Sequence, residues 1–149
     1  MRPGSGGTVT MSECMYCTQN KALTDLMFYV CDVDGHSVYF FKNQSYPGRC
    51  IVACGKHVRT AAELSQPEFE AYMGAVHKVG KAITALYHPY QINYATFGDK
   101  VEHVHCHIVP KYEGGMDFGG MFQMNPTPGV YLTDEEYQSR IAALKAALQ

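Results

Sequence analysis

The stretch His103-Val104-His105-Cys106-His107-Ile108-Val109-Pro110-Lys111 constrains the fold more than any other part of the chain, because histidines alternate there with apolar residues. Successive side chains of a β-strand point to opposite faces, so this alternation predicts a strand over 103–111 with two unlike faces. Val104, Cys106 and Ile108 then point into a core, while His103, His105 and His107 stand in a row on the other face. Neighbours in such a row are about 6.6 Å apart and its outer members about 13 Å. A tetrahedral zinc holds its ligands at about 2.0–2.1 Å, so two adjacent rings can share one metal but three in line cannot easily do so. The row suits an extended anionic group better, with one ring as nucleophile and its neighbours donating protons and hydrogen bonds. Two alternatives stand beside that reading: a half-exposed strand that is merely rich in histidine, and a zinc-dependent hydrolase with the row as metal ligands.

The rest of the composition is that of an ordinary globular chain. The 149 residues suffice for one domain with its own core, and 46% are hydrophobic against 17% charged. A formal net charge of −2 argues against a partner that is a nucleic acid polymer, because surfaces for such polymers are usually strongly basic. An anionic ligand must be held by local groups. The start of the sequence lacks the apolar segment of a secretory signal, and no stretch reaches the roughly 18 apolar residues of a membrane span. A reduced, cytoplasmic protein is therefore expected, in which the six cysteines are core residues or metal ligands.

Residues 1–12 are rich in Gly, Ser and Thr without periodicity and are expected to form a flexible tail, leaving 13–149 as the domain. Cys14-Met15-Tyr16-Cys17 has a spacing common for zinc, although such a pair can equally be redox-active or buried. Without a second pair, the remaining ligands must be scattered cysteines such as Cys31, Cys50 or Cys54, or histidines. Residues 26–32 and 37–41, flanking Asp34-Gly35, predict a β-hairpin. Pro47-Gly48 turns the chain into a short buried strand, Arg49-Cys50-Ile51-Val52-Ala53, followed by His57 in a loop. By position alone His57 is an ordinary solvated histidine.

Ser65-Gln66-Pro67-Glu68 is a capping box that opens a helix, and Phe69, Tyr72, Met73, Val76, Val79, Ile83 and Leu86 give it one apolar stripe before Pro89 stops it. Tyr90 to Phe97 predicts the strand that pairs with the histidine strand across Gly98-Asp99-Lys100. Asn93 is the polar residue in that strand that needs a partner if buried. The glycine-rich run 113–122 suits a flap over a ligand or a segment that orders against a second subunit. A second capping box, Thr133 to Glu136, opens a C-terminal helix whose apolar face (Tyr137, Ile141, Leu144, Leu148) can dock on the sheet or on a partner. Hairpins, one long central helix, two strands and a final helix define an α+β fold with an antiparallel sheet.

His-x-His-x-His followed by two apolar residues, with Asn93, Gly98 and Val101 before it and Pro110-Lys111-Tyr112 after it, resembles the signature of the histidine-triad superfamily of nucleotide hydrolases and transferases. The resemblance spans roughly residues 14 to 112. It implies a two-fold homodimer and cleavage of a phosphoanhydride or phosphoramidate at the α-phosphate of a purine nucleotide or dinucleoside polyphosphate. His105 is then the nucleophile that becomes a nucleotidyl-histidine, His107 contacts the phosphoryl oxygens and leaving group, and His103 holds the constellation. Asn93, Gly98, Asp99 and Lys100 join His105 and His107 in nucleotide binding. Some members bind zinc through an N-terminal cysteine pair with two histidines, which implies the set Cys14, Cys17, His57 and His103 and makes zinc a structural cofactor. The chain departs from the family at Gly98-Asp99-Lys100-Val101, where many members carry Gly-Gln-Ser/Thr-Val. There Asp99 repels phosphate unless turned away, and Lys100 offers a charge in place of the lost neutral donors. The alternative to an enzyme is a nucleotide-binding regulatory protein with little activity.

Overall fold

The computed structural model describes residues 10–149. Of the expected tail, residues 1–9 lie outside the described residues, and the Thr10 carbonyl accepts from the amides of Glu13 and Cys14, both at 3.1 Å. Two short helices follow, α1 (Met15–Thr18) and α2 (Lys21–Leu26), the second capped by the Asn20 side chain accepting from the Leu23 amide. Next come strands β1 (Met27–Val33), β2 (His36–Phe41) and β3 (Cys50–Ala53), and a single 3₁₀ turn, Ala61–Glu63. Helix α3 (Gln66–Tyr87), strands β4 (Gln91–Thr96) and β5 (His105–Lys111), and helix α4 (Asp134–Leu148) complete the chain. The architecture is the expected α+β fold: five antiparallel strands in the order β1-β2-β3-β5-β4.

Local chemistry accounts for the boundaries. Asp34 and Gly35 join β1 to β2 with φ of 51° and 82°, the left-handed pair that a two-residue hairpin turn requires. Helix α3 starts at the predicted capping box, in which Ser65 accepts from the Glu68 amide and the Glu68 carboxylate accepts from the Ser65 amide. It stops at His88, which takes the left-handed conformation before Pro89.

The sheet is covered on both faces, and the two coverings differ. On one face α3 lays Tyr72, Ala75, Val76, Val79 and Ile83 against Val38, Phe40, Cys50, Val52, Cys106 and Ile108. The apolar stripe predicted for α3 is buried only in its middle, with Phe69 and Leu86 exposed. A helix of 22 residues is about 33 Å long, more than a sheet with strands of four to seven residues can cover. Helix α4 docks on α3 and β1, and its Tyr137 hydroxyl donates to the Lys42 carbonyl at 2.7 Å. On the other face the covering is the N-terminal segment, where Cys14, Tyr16 and Leu23 pack on Met27, Tyr39, Phe41, Ile51 and Ala53. His105 and His107, paired with Ala53 and Ile51, lie on this second face.

Candidate active site and metal centre

Strand β5 begins at His105, two residues later than the alternation predicts. The backbone of Val104 still makes pairs, donating to Val58 at 3.0 Å and accepting from Cys54 at 2.9 Å, but its partners belong to the loop after β3. His103 thus leaves the sheet and turns toward the N-terminal segment. Its Nε2 lies 2.7 Å from the Cys54 carbonyl, and since a carbonyl only accepts, Nε2 carries the proton and Nδ1 the lone pair.

That lone pair faces Cys14 Sγ at 3.3 Å, Cys17 Sγ at 3.6 Å and His57 Nδ1 at 3.1 Å, and Cys17 Sγ is 3.3 Å from His57 Nδ1. All four donor atoms lie within 4.8 Å of one another. Four ligands at zinc–sulfur and zinc–nitrogen bond lengths sit roughly 3.3–3.8 Å apart at the corners of a tetrahedron, so the cluster already has close to the dimensions of a zinc site. The donor chemistry agrees, because two thiolates neutralise a divalent cation at a place where Cys14 and His103 are buried. The bond from His103 to the Cys54 carbonyl is the outer-shell contact that orients a ligand imidazole. Among the described residues these four are the grouping of His, Cys, Asp or Glu that fits a metal ion, and they include only one member of the histidine row.

The other two histidines are held differently. His105 Nδ1 is 2.6 Å from the His103 carbonyl, so this nitrogen is the donor and Nε2 keeps its lone pair. His107 Nδ1 is 3.4 Å from Arg49 Nη2, and because a guanidinium only donates, the ring must present N–H at Nε2. Burial holds the His105 imidazole below its ordinary pKa against the opposing effect of the His103 carbonyl. For His107, burial first and then His105 and Arg49 push the value down to about 3. At neutral pH the two rings are therefore uncharged, one offering a lone pair and its neighbour, 5.3 Å away between centroids, an N–H. Tyr16 packs on both His103 and His105, at 5.4 and 5.0 Å, so α1 flanks the row.

Both rings line a cleft of about 360 Å³. Its wall is largely apolar, with Met15, Leu26, Met27, Phe41, Ile51, Phe97 and Met124, and Asp99, Lys100 and Asn125 line it as well. Asp99 and Lys100 thus share the cleft with His105 and His107. Gly98 lines a neighbouring recess with Arg59, Thr60 and Val104. Asn93 is on the same sheet face but opposite Val109, one same-face position beyond the Ala95–His107 pair, and it lines a third recess with Lys111, Tyr90 and Phe118. Several contributors went unnoticed in the sequence. Tyr16 lies between the two cysteines of the Cys-x-x-Cys pair, Phe97 and Arg49 come from segments that read as strand, and Phe122, which packs on His107 at 5.9 Å, belongs to the glycine-rich run.

The HIT domain model matches residues 28–114, which run from β1 to just beyond β5 and make up more than half of the chain. The chain belongs to the HIT domain family. Cys14 and Cys17 lie outside the matched residues. An uncharacterized HIT-like protein of Mycoplasma genitalium is 28% identical over 137 residues, covering 87% of this chain and 92% of the relative. Among solved structures, a histidine triad protein of Sinorhizobium meliloti superposes with a TM-score of 0.78 at 15% identity, over 87% of this chain and 95% of its own. A zinc-bound histidine triad family protein of Mycobacterium smegmatis superposes with a TM-score of 0.62 at 19% identity, over 93% and 95%. At these identities the structural likeness speaks for the fold.

Proposed function

We propose that the protein cleaves a nucleotide at its α-phosphate through a covalent nucleotidyl-histidine on His105. One observation carries the reading: the 2.6 Å bond from His105 Nδ1 to the His103 carbonyl leaves the lone pair on Nε2 of a ring that lines the cleft. In the first step Nε2 attacks the α-phosphorus, forming a P–N bond while the bond to the leaving oxygen or nitrogen breaks. His107 donates its Nε2–H to a phosphoryl oxygen or the leaving atom, which strengthens as negative charge develops there. Water then attacks the same phosphorus, the P–N bond breaks, and the nucleoside monophosphate leaves with the histidine regenerated. The apolar lining of the cleft, with Met15, Met27, Phe41 and Ile51, suits a purine ring.

Single-turnover reactions with a dinucleoside polyphosphate, a nucleoside phosphoramidate and an aminoacyl-adenylate test this reading and choose the substrate class. The expected result is a protein mass raised by one nucleoside monophosphate after rapid denaturation, with at least one of the three. Tight binding of AMP without turnover of any of them would instead establish the regulatory alternative.

Asp99 and Lys100 bear on affinity. Each lines the cleft with one charge, and an interaction with phosphate at about 5 Å is worth roughly 1–3 kcal/mol before screening. Asp99→Asn is expected to tighten AMP binding about fivefold and Lys100→Met to weaken it by a similar factor. Both effects should shrink as salt rises from 0.05 to 0.5 M, and calorimetric affinities that do not move in opposite directions would refute the assignment.

For zinc, Cys14, Cys17, His57 and His103 are the proposed ligands. Bound there, the ion supplies a structural cross-link between the N-terminal segment and the loops on either side of the long helix. We also propose a two-fold homodimer, on the ground that β4 is an edge strand with Tyr94 exposed on it and Tyr90 exposed just before it. Light scattering should give twice the 16.6 kDa chain mass, and a monomer at all concentrations would exclude it. Among the described residues no helix is long and apolar enough to cross a membrane.

A further inference from the structure

Arg49 immediately precedes β3 at a position that reads as ordinary strand, yet it is completely buried and has no carboxylate partner among the described residues. A buried guanidinium without a counter-ion is costly unless its donors are otherwise engaged. Here Nη1 donates to the carbonyls of Gln123 and Met124 at 3.1 and 2.9 Å, while Nη2 donates to His107 Nδ1 at 3.4 Å. Nε has no partner among the described residues. The plane of the group is held over the Phe41 ring at 4.1 Å, with Phe122 at 5.2 Å. One rigid fork therefore joins a histidine of the cleft to the segment that supplies the cleft's Met124 and Asn125.

The segment is secured at several further points. Lys111, also buried, donates to the carbonyls of Asp117 and Gly120 at 2.6 and 2.7 Å. The Asn43 amide donates to the Pro126 carbonyl at 3.1 Å, and the Gln123 amide donates to the Tyr46 hydroxyl at 2.7 Å. The glycine-rich run and the residues that follow it, as far as Pro126, thus form a strap fastened by two buried basic side chains. The Lys111 ammonium donates only to the strap, however, whereas the Arg49 fork bonds both the strap and His107, alongside the packing of Phe122 on the His107 ring.

We propose that Arg49 is a positioning residue for the cleft: it sets His107 in the tautomer that presents Nε2–H to the bound phosphoryl group, and with the same fork it sets the strap that forms the cleft's rim. The proposal rests on the reading of His105 and His107 given above. Its chemistry depends on the planar, always protonated fork of arginine, which lysine does not reproduce.

The test combines ¹⁵N spectra of histidine-labelled protein with steady-state kinetics on AMP derivatives, for wild type, Arg49→Met and Arg49→Lys. The His107 signals are assigned from their loss in His107→Gln. In wild type His107 should show a single tautomer with Nε2 protonated. In Arg49→Met both tautomers should be populated, and kcat should fall about 10- to 100-fold with KM changed less than about threefold. If Arg49→Met does not fold, Arg49→Lys decides, because it keeps the charge, loses the fork and is expected to show the same mixture and a lower kcat. A folded variant with the wild-type tautomer overturns the proposal even if slow, since arginine would then only brace the strap; a mixed tautomer at wild-type kcat overturns it too. If wild type itself turns over no AMP derivative, the nucleotidyl-transfer reading fails, and the spectra alone then decide whether Arg49 sets His107.

Discussion

Replacement of His105 by alanine should lower turnover of AMP derivatives by roughly 10⁴-fold or more and abolish the covalent nucleotidyl adduct, with the protein still folded. The size of the effect follows from chemistry. If the imidazole nitrogen is the nucleophile, its loss removes the step itself, and water reaching the same phosphorus lacks an oriented base in its place. His107 does not substitute, because Arg49 occupies its Nδ1 and leaves the ring with a donor toward the cleft. The fold should survive, since the change leaves the proposed zinc ligands, β3–β5 pairing and α3 face intact, and it costs the bond to the His103 carbonyl and packing on Tyr16 and His107. A Tm lowered by several degrees is compatible with that loss. AMP should still bind to the variant, because the apolar wall and Lys100 remain. Hydrolysis at the wild-type rate would show that His105 is not the nucleophile.

The same residues show what the sequence could and could not reveal. The hairpin at Asp34-Gly35 and both capping boxes were legible because each is a local device, made by residues within a few positions of one another. The alternation of the histidine row was legible for the same reason, and it correctly placed His105 and His107 on one face. It also treated three imidazoles as equivalent, which they are not. What separates them is distant in sequence: Cys14 and Cys17 draw His103 out of the strand, and Arg49 governs His107. Arg49 itself was indistinguishable from an element of a short strand, as its partners Gln123 and Met124 lie more than seventy residues away. The Cys-x-x-Cys spacing left its partners open, and only resemblance to a family selected His57 over the other cysteines. The structure buries Cys50 and Cys106 in the α3-side core, on the sheet face opposite the grouping of Cys14, Cys17, His57 and His103. Asn93 illustrates the opposite case, since the strand pattern marked it as a polar residue in need of a partner but could not show that it opens into a different recess from the cleft.

The second large effect concerns the metal. Wild-type protein purified with zinc present should carry about one zinc per chain by elemental analysis, and Cys14→Ala should carry almost none. Stability should follow occupancy, because an ion that binds the folded state alone adds about 4 kcal/mol when free zinc is a thousand times its dissociation constant. The loss should be concentrated in one place. Helix α1 has only four residues and no side-chain cap, far too short to persist alone, so its position depends on Tyr16, on Cys14 and Cys17, and on what those thiols bind. Removing the ion should therefore raise protease cleavage and amide exchange around residues 13–20 before the sheet opens. Activity should fall as well, though by less than in His105→Ala, since Met15 and Tyr16 form part of the cleft wall and Tyr16 packs on His105. That graded loss separates a structural ion from a catalytic one: chelation should weaken substrate binding and leave the nucleotidyl-histidine able to form at high substrate. Equal zinc content in wild type and Cys14→Ala would remove the proposed site, and complete loss of adduct formation on chelation, in protein that remains folded, would place the ion in the chemistry instead.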